Sequence, residues 1–300
     1  MSPNKNSLVV ATVQQTCCDD TQSNLEITRA AIVDAAEQGA QLVLLQELHS
    51  NIYFCQSKDR NHFDLAEPIP GPTTDTLAQF ARENRIVIIG SVFERCATRI
   101  YHNTAVVLDS DGSLAGQYRK MHIPDDPGYY EKFYFTPGDQ GFRPIDTSVG
   151  KLGVLVCWDQ WYPEAARLMA LHGADLLLYP TAIGWDPRDD VDEKQRQLES
   201  WLVIQRSHAI ANSLPLMCAN RCGLETSPGE QSDGIDFWGS SFIAGPQGEV
   251  IASASANSAE TLVAQLDMTR TEKVRRVWPF FRDRRIDAYD DLVRVYNENK

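Results

Sequence analysis

Positive charge is in short supply. The 300 residues carry 28 lysines and arginines against 41 aspartates and glutamates, a formal net charge of −13. Such a surface repels phosphates, which argues against nucleic acids and anionic membranes as partners. No apolar run approaches the ~20 residues that a membrane-spanning helix needs. The opening residues, MSPNKNSLVVATVQQ, show no basic stretch leading into an apolar one with a cleavage site, so no secretory signal is expected. No Pro/Ser/Gly-rich linker divides the chain, and one domain over 1–300 is expected. Phosphate-binding patterns of the G-x-G-x-x-G or Walker type are absent, and DSDG and GPQG read as turns. The seven cysteines are odd in number and scattered, which suits reduced thiols in the cytoplasm better than a disulfide framework. CANRC places Cys218 near Cys222, but no second pair of ligands completes a zinc site. Neither a metal nor a cofactor is expected.

What is present is an ordinary globular composition, 43% hydrophobic and 23% charged. SLVVATVQ reads as a strand. NLEITRAAIVDAAEQGA reads as a helix capped by Ser23 or Asn24 and ended by Gly39, and QLVLLQE as an apolar strand. KLGVLVCWD, PEAARLMALHGA and DLLLYPT repeat that order, down to the shared wording of QGAQLVLLQE and HGADLLLYPT. Short apolar strands joined by crossover helices imply α/β architecture with a sheet covered by helices. RIVIIGSVFER, IYHNTAVVLDSDGSLAGQYRKMHI and FWGSSFIAGPQGEVIASAS alternate and turn like hairpins. Helical patterns recur at TTDTLAQFARENR and DEKQRQLESWLVIQRSHAIANS. Residues from about 266 to 300, basic and aromatic, read as a C-terminal arm packed on the surface or on a partner subunit.

Cys157 ends an apolar strand just before a helix, at the carboxyl edge where sites form in α/β sheets. The dipole of that helix would lower the thiol pKa, and the Trp158 N–H would face a developing oxyanion. Buried free cysteines are also common and inert, and position alone leaves both readings open. None of the six histidines shows a pairing that the sequence identifies. Glu47, closing LVLLQE, can serve as a general base if both units present the same edge; standing alone it reads as a surface residue past a strand end. Lys120 in QYRKMHIP could stabilise a thiolate or oxyanion. Spacing does not separate it from Arg119.

LVLLQE, YRKMHIP and GVLVCWDQWYPEAARLMALHGADLLLYPTA together resemble the three signature segments of the nitrilase, or carbon–nitrogen hydrolase, superfamily. The resemblance runs from VVATVQQ to DRRIDAYDDL. It implies a four-layer α-β-β-α sandwich with pseudo-twofold internal symmetry, and a catalytic triad of Glu47, Lys120 and Cys157. PDDPGYYEKFYFTPGD matches the segment that carries a second glutamate, which places it at Glu131, orienting Lys120. It further implies hydrolysis of linear amides or carbamoyl groups through a cysteine acyl intermediate, and a homo-oligomer built from dimers. The closest match within the superfamily implies a small cationic carbamoyl amine as substrate. Two acidic loops at the expected site edge supply candidates for its distal ammonium, and Asp125 and Trp185 are the residues chosen, with Trp158 beside the nucleophile. Asp159, Pro163, Glu164 and Arg167 follow the family pattern, and an i,i+3 ion pair suffices to explain Glu164 and Arg167.

Overall fold

A computed structural model describes residues 6–226 and 233–296; the last four residues of the arm, 297–300, lie outside them. The first repeat unit forms strand Ser7–Gln14, helix Thr21–Glu37 and strand Leu42–Leu44. The helix begins earlier than the sequence suggests. Asp20 is its cap, accepting from the Ser23 N–H at 2.8 Å. Asn24 is instead buried inside the first turn, where its amide donates to the carbonyls of Cys18 and Ser50. Gly39, at φ +88°, ends the helix as expected, in a conformation that side chains resist. The second unit forms strand Gly150–Val154, helix Pro163–Leu171 and strand Leu176–Pro180.

The two units do not share a sheet. Each nucleates its own. In one six-stranded sheet the order is Glu260–Asp267, Ser7–Gln14, Leu42–Leu44, Val87–Ala97, Ile100–Leu108 and Leu114–Arg119. In the other it is Val250–Ser253, Phe242–Ala244, Leu216–Ala219, Leu176–Pro180, Gly150–Val154 and Ile145–Thr147. Each has three parallel strands at its centre and antiparallel neighbours outside. The hairpins read from DSDG and GPQG are formed.

Side chains on a strand alternate between faces, and the burial follows. Leu42, Leu44, Val87 and Ile89 point into the core between the sheets, where they meet Leu176, Leu178 and Leu216. Val43, Leu45 and Ile88 point the other way, under Ile32, Leu77 and Phe80 of helices Thr21–Glu37 and Pro72–Asn84. Helices Pro163–Leu171 and Val191–Asn212 cover the outer face of the second sheet through Ala165, Met169, Trp201 and Ala209. The result is the α-β-β-α sandwich. Leu266 and Asp267 complete an edge strand, and the arm proper follows as helix Thr269–Val277 and two 3₁₀ turns. Phe281 anchors it between the guanidiniums of Arg167 and Arg275. Arg167 therefore serves the arm; it makes no ion pair with Glu164 among the described residues.

Candidate active site

The carboxyl ends of the two central sheets open at one end of the sandwich, and there the halves touch. The Glu47 N–H donates to the Thr181 carbonyl, 3.3 Å away across the sheets. Lys120 follows strand Leu114–Arg119, with its N–H on the Asn103 carbonyl of the neighbouring strand. Strand alternation separates it from Arg119, whose guanidinium turns outward to Glu94 and Asp139. Glu131 opens the single helical turn Glu131–Tyr134.

These side chains meet. Lys120 Nζ lies 2.8 Å from Glu47 Oε1 and 2.8 and 2.6 Å from the two oxygens of Glu131. All three are fully buried. Asn103 Nδ2 donates to Glu47 Oε1 at 2.6 Å, and the Tyr53 hydroxyl to Glu131 Oε1 at 2.7 Å. Glu47 Oε2 is buried without a hydrogen-bond partner, so one oxygen of this carboxylate is left able to take a proton. Burial works against the Lys120 charge, but Glu131 and Glu47 outweigh it and hold the ammonium well above its usual range. Burial pushes the Glu131 carboxyl up, to about 7, against the pull of Lys120. Burial, reinforced by Glu131, keeps the Tyr53 phenol protonated and therefore a donor.

Cys157 is 4% exposed and sits at φ +42°, a left-handed conformation unusual for a side-chain-bearing residue. Asp159 maintains it. Its carboxylate accepts from the Val156 N–H and the Tyr118 hydroxyl on one oxygen and from the His122 N–H and Nδ1 on the other, at 2.7–3.1 Å. A 3₁₀ turn, Cys157–Trp161, separates the thiol from helix Pro163–Leu171. The first bond of that turn runs from the Asp159 N–H to the Val156 carbonyl, so the Cys157 and Trp158 N–H groups lie ahead of it.

The thiolate expected from the helix dipole is not what the structure shows. The helix begins six residues beyond Cys157, and burial followed by Glu47 raises the thiol pKa well above its ordinary value, with Lys120 opposing. That shift favours the neutral thiol over the thiolate.

Cys157 and Trp158 line a cavity of about 690 Å³; Glu47, Lys120 and Glu131 do not line it. Its walls include Tyr129, Trp161 and Trp238, with five carboxylates (Asp126, Asp186, Asp189, Glu193 and Asp233) against two guanidiniums, Arg188 and Arg196. Arg188 is bound to Asp186, and Arg196 to Glu193. Asp126 and Asp189 make no salt bridge among the described residues. Asp125 does not line the cavity; its neighbour Asp126 does. Trp185 also stands back from it. Its ring packs 5.5 Å from Trp238 and its indole N–H donates to the Lys194 carbonyl.

No histidine takes part in the carboxylate–ammonium cluster. His49 is fully buried with its pKa depressed to about 3, by burial and then by Arg221. The sequence reading missed Asn103, Tyr53, Asp159 as the anchor of the turn, and Arg221. No local pattern marks Asn103, Tyr53 or Arg221, since each acts on a residue 56 to 174 positions away; Asp159 stood in the family pattern, but its hold on the Val156 N–H three residues back was not read from it. Among the described residues no group of three or more His, Cys, Asp or Glu is placed to hold a metal ion.

The profile of a family described as carbon–nitrogen hydrolase matches residues 9–276. The chain is 44% identical over 298 residues to N-carbamoylputrescine amidase of Solanum lycopersicum, covering 98% of both. It is 42% identical over 292 residues to citrullinase of Francisella tularensis subsp. tularensis, covering 97% of this chain and 99% of that one. A crystal structure of a carbon–nitrogen hydrolase from Helicobacter pylori G27 superposes with a TM-score of 0.94 at 51% identity, covering 97% of this chain and 100% of that one.

Proposed function

The chain belongs to the carbon–nitrogen hydrolase family, and from that premise we propose that it hydrolyses N-carbamoylputrescine to putrescine, carbon dioxide and ammonia, a step from agmatine toward polyamines. The observation that carries the reading is the cavity at Cys157, where a neutral ureido group can meet the thiol while a surplus of carboxylates receives an ammonium.

Cys157 Sγ attacks the ureido carbonyl carbon as the free oxygen of Glu47 takes the thiol proton. The carbonyl oxygen becomes an oxyanion held by the Lys120 ammonium and the Trp158 N–H. Glu47 returns the proton to the nitrogen of the breaking C–N bond, leaving a thiol-bound carbamoyl group. A water molecule, deprotonated by Glu47, adds to that group, and the departing sulfur takes the proton back from Glu47, which restores the thiol and the carboxylate. The carbamate released breaks down to carbon dioxide and the remaining amine. Glu131 keeps Lys120 aimed throughout.

Citrulline is the second reading, because the cavity also holds Arg188 and Arg196, which could meet a carboxylate. Both are already paired with acids, which favours the amine. We expect kcat/KM for N-carbamoylputrescine to exceed that for L-citrulline and 3-ureidopropionate by about 100-fold, the size of a charged hydrogen bond worth ~3 kcal/mol. Equal or better turnover of citrulline in an ammonia-release assay would overturn the assignment. Of the two acids without a salt bridge, Asp189 already accepts from the Gln197 amide, which leaves Asp126 the first to test. Asp126→Asn should raise KM for the cationic substrate by roughly tenfold and leave neutral carbamoyl compounds unaffected. An unchanged ratio shifts the role to Asp189.

A further inference from the structure

We propose that Arg221 and Glu225 are positioning residues for the catalytic base, and that they tie the wall of the cavity to it. The proposal rests on the role given above to Glu47. Arg221 is fully buried, and Nη2 donates to three carbonyls at once: Glu47 at 3.0 Å, Leu48 at 2.6 Å and Asn51 at 2.9 Å. An Nη carries two hydrogens, so the three acceptors converge on a shared donor. Leu48 stands at φ +49°, left-handed although it bears a side chain. That turn brings the carbonyls of the base and its neighbour onto Arg221. The Leu48 carbonyl also accepts the Asn51 N–H at 3.1 Å, whereas the Glu47 carbonyl relies on the guanidinium and would lose its donor without it.

The other half of the guanidinium completes a circuit. Arg221 Nη1 donates to Glu225 Oε1 at 2.8 Å, and Glu225 Oε2 accepts the Tyr53 N–H at 2.6 Å. The hydroxyl of that same Tyr53 ends on Glu131, Glu131 on Lys120, and Lys120 on Glu47. Six residues form one closed ring of hydrogen bonds. Both carboxylates flanking Lys120 are thereby held by one ion pair, Glu47 through its main chain and Glu131 through Tyr53. Glu225 also ends strand Cys222–Glu225, which pairs with Ile235–Trp238. Ile235 and Trp238 line the cavity. The hairpin that contacts substrate is the one that sets the base.

The test uses Arg221→Lys, which keeps the charge but loses the fork, and Glu225→Gln, which keeps an acceptor for Arg221 but loses the charge. Each is assayed for kcat and KM on N-carbamoylputrescine, for the iodoacetamide alkylation rate of Cys157 mapped by peptide mass spectrometry, and for folding by thermal unfolding. Displacement of the base predicts a kcat lower by ~10²-fold with KM changed by no more than about threefold, and alkylation at pH 7 slowed alongside kcat. Folded variants with wild-type kcat and alkylation, or with KM alone altered, overturn the proposal. If Arg221→Lys fails to fold, Glu225→Gln and Tyr53→Phe carry the same comparison. A wild-type enzyme that ignores N-carbamoylputrescine defeats the substrate reading alone, because the alkylation comparison needs no substrate.

Discussion

Replacing Cys157 with alanine should lower ammonia release by about 10⁴- to 10⁶-fold, the range seen when a covalent nucleophile is removed. Stability should change by no more than about 1 kcal/mol. The thiol is buried but makes one weak hydrogen bond, 3.6 Å to the Ala182 carbonyl, and Asp159 rather than the sulfur maintains the turn. Alanine keeps the same strained φ without losing much packing. What disappears is the only atom of the cluster that both faces the cavity and can form a bond to carbon. Quenching wild-type enzyme during turnover should show a carbamoyl adduct on the Cys157 peptide by mass spectrometry. Turnover retained in the variant, or the adduct found on another cysteine, would end the nucleophile assignment. Because burial and Glu47 favour the protonated thiol, alkylation of wild-type Cys157 should depend on the neighbouring base instead of on a preformed thiolate.

Lys120→Ala should be costly in two ways. Losing an oxyanion donor alone lowers kcat by ~10²–10³-fold, and misorientation of Glu47 adds to that. The variant also leaves Glu47 and Glu131 facing each other in a dry site. Removing one partner of a buried ion pair costs about 3–5 kcal/mol. The pH dependence gives the sign. Glu131 is already raised to about 7 with Lys120 pulling it down, so without Lys120 it rises further. A carboxyl whose folded pKa exceeds its unfolded value binds more protons when folded, and stability then falls as pH rises through that window. Below about pH 7 Glu131 is protonated in both folded proteins and the stability difference should be level, whereas above about 7 the variant should lose stability relative to wild type. Thermal unfolding of both proteins from pH 5 to 8.5 measures this. A Tm difference that is flat with pH would show that the carboxylates do not share the site as described.

Much of the chain was legible without coordinates. Apolar runs and their spacing marked the strands and helices of both repeat units, because a strand covered on both faces leaves no polar positions in its sequence. The motifs around Glu47, Lys120, Glu131 and Cys157 pointed to one chemistry. Smaller features slipped where local sequence offered near-equal choices. Ser23 and Asn24 both looked like caps, yet Asp20 does the work because the chain enters the helix three or four residues sooner. Asp125 and Asp126 are adjacent acids, and the turn of the loop alone decides which lines the cavity. Trp185 looked like a wall, but its N–H finds the Lys194 carbonyl and the ring retreats behind Trp238.

The residue types at the site, the two strand–helix–strand units and the acidic balance of the surface were set along the chain itself, since they depend on composition and on neighbours a few positions apart. The protonation of the thiol, the choice of Lys120 over Arg119 and the ring through Tyr53, Arg221 and Glu225 were decided only by the folded molecule. Burial, and groups as far apart as Glu47 and Arg221, control them, and neither is written in any short stretch of sequence.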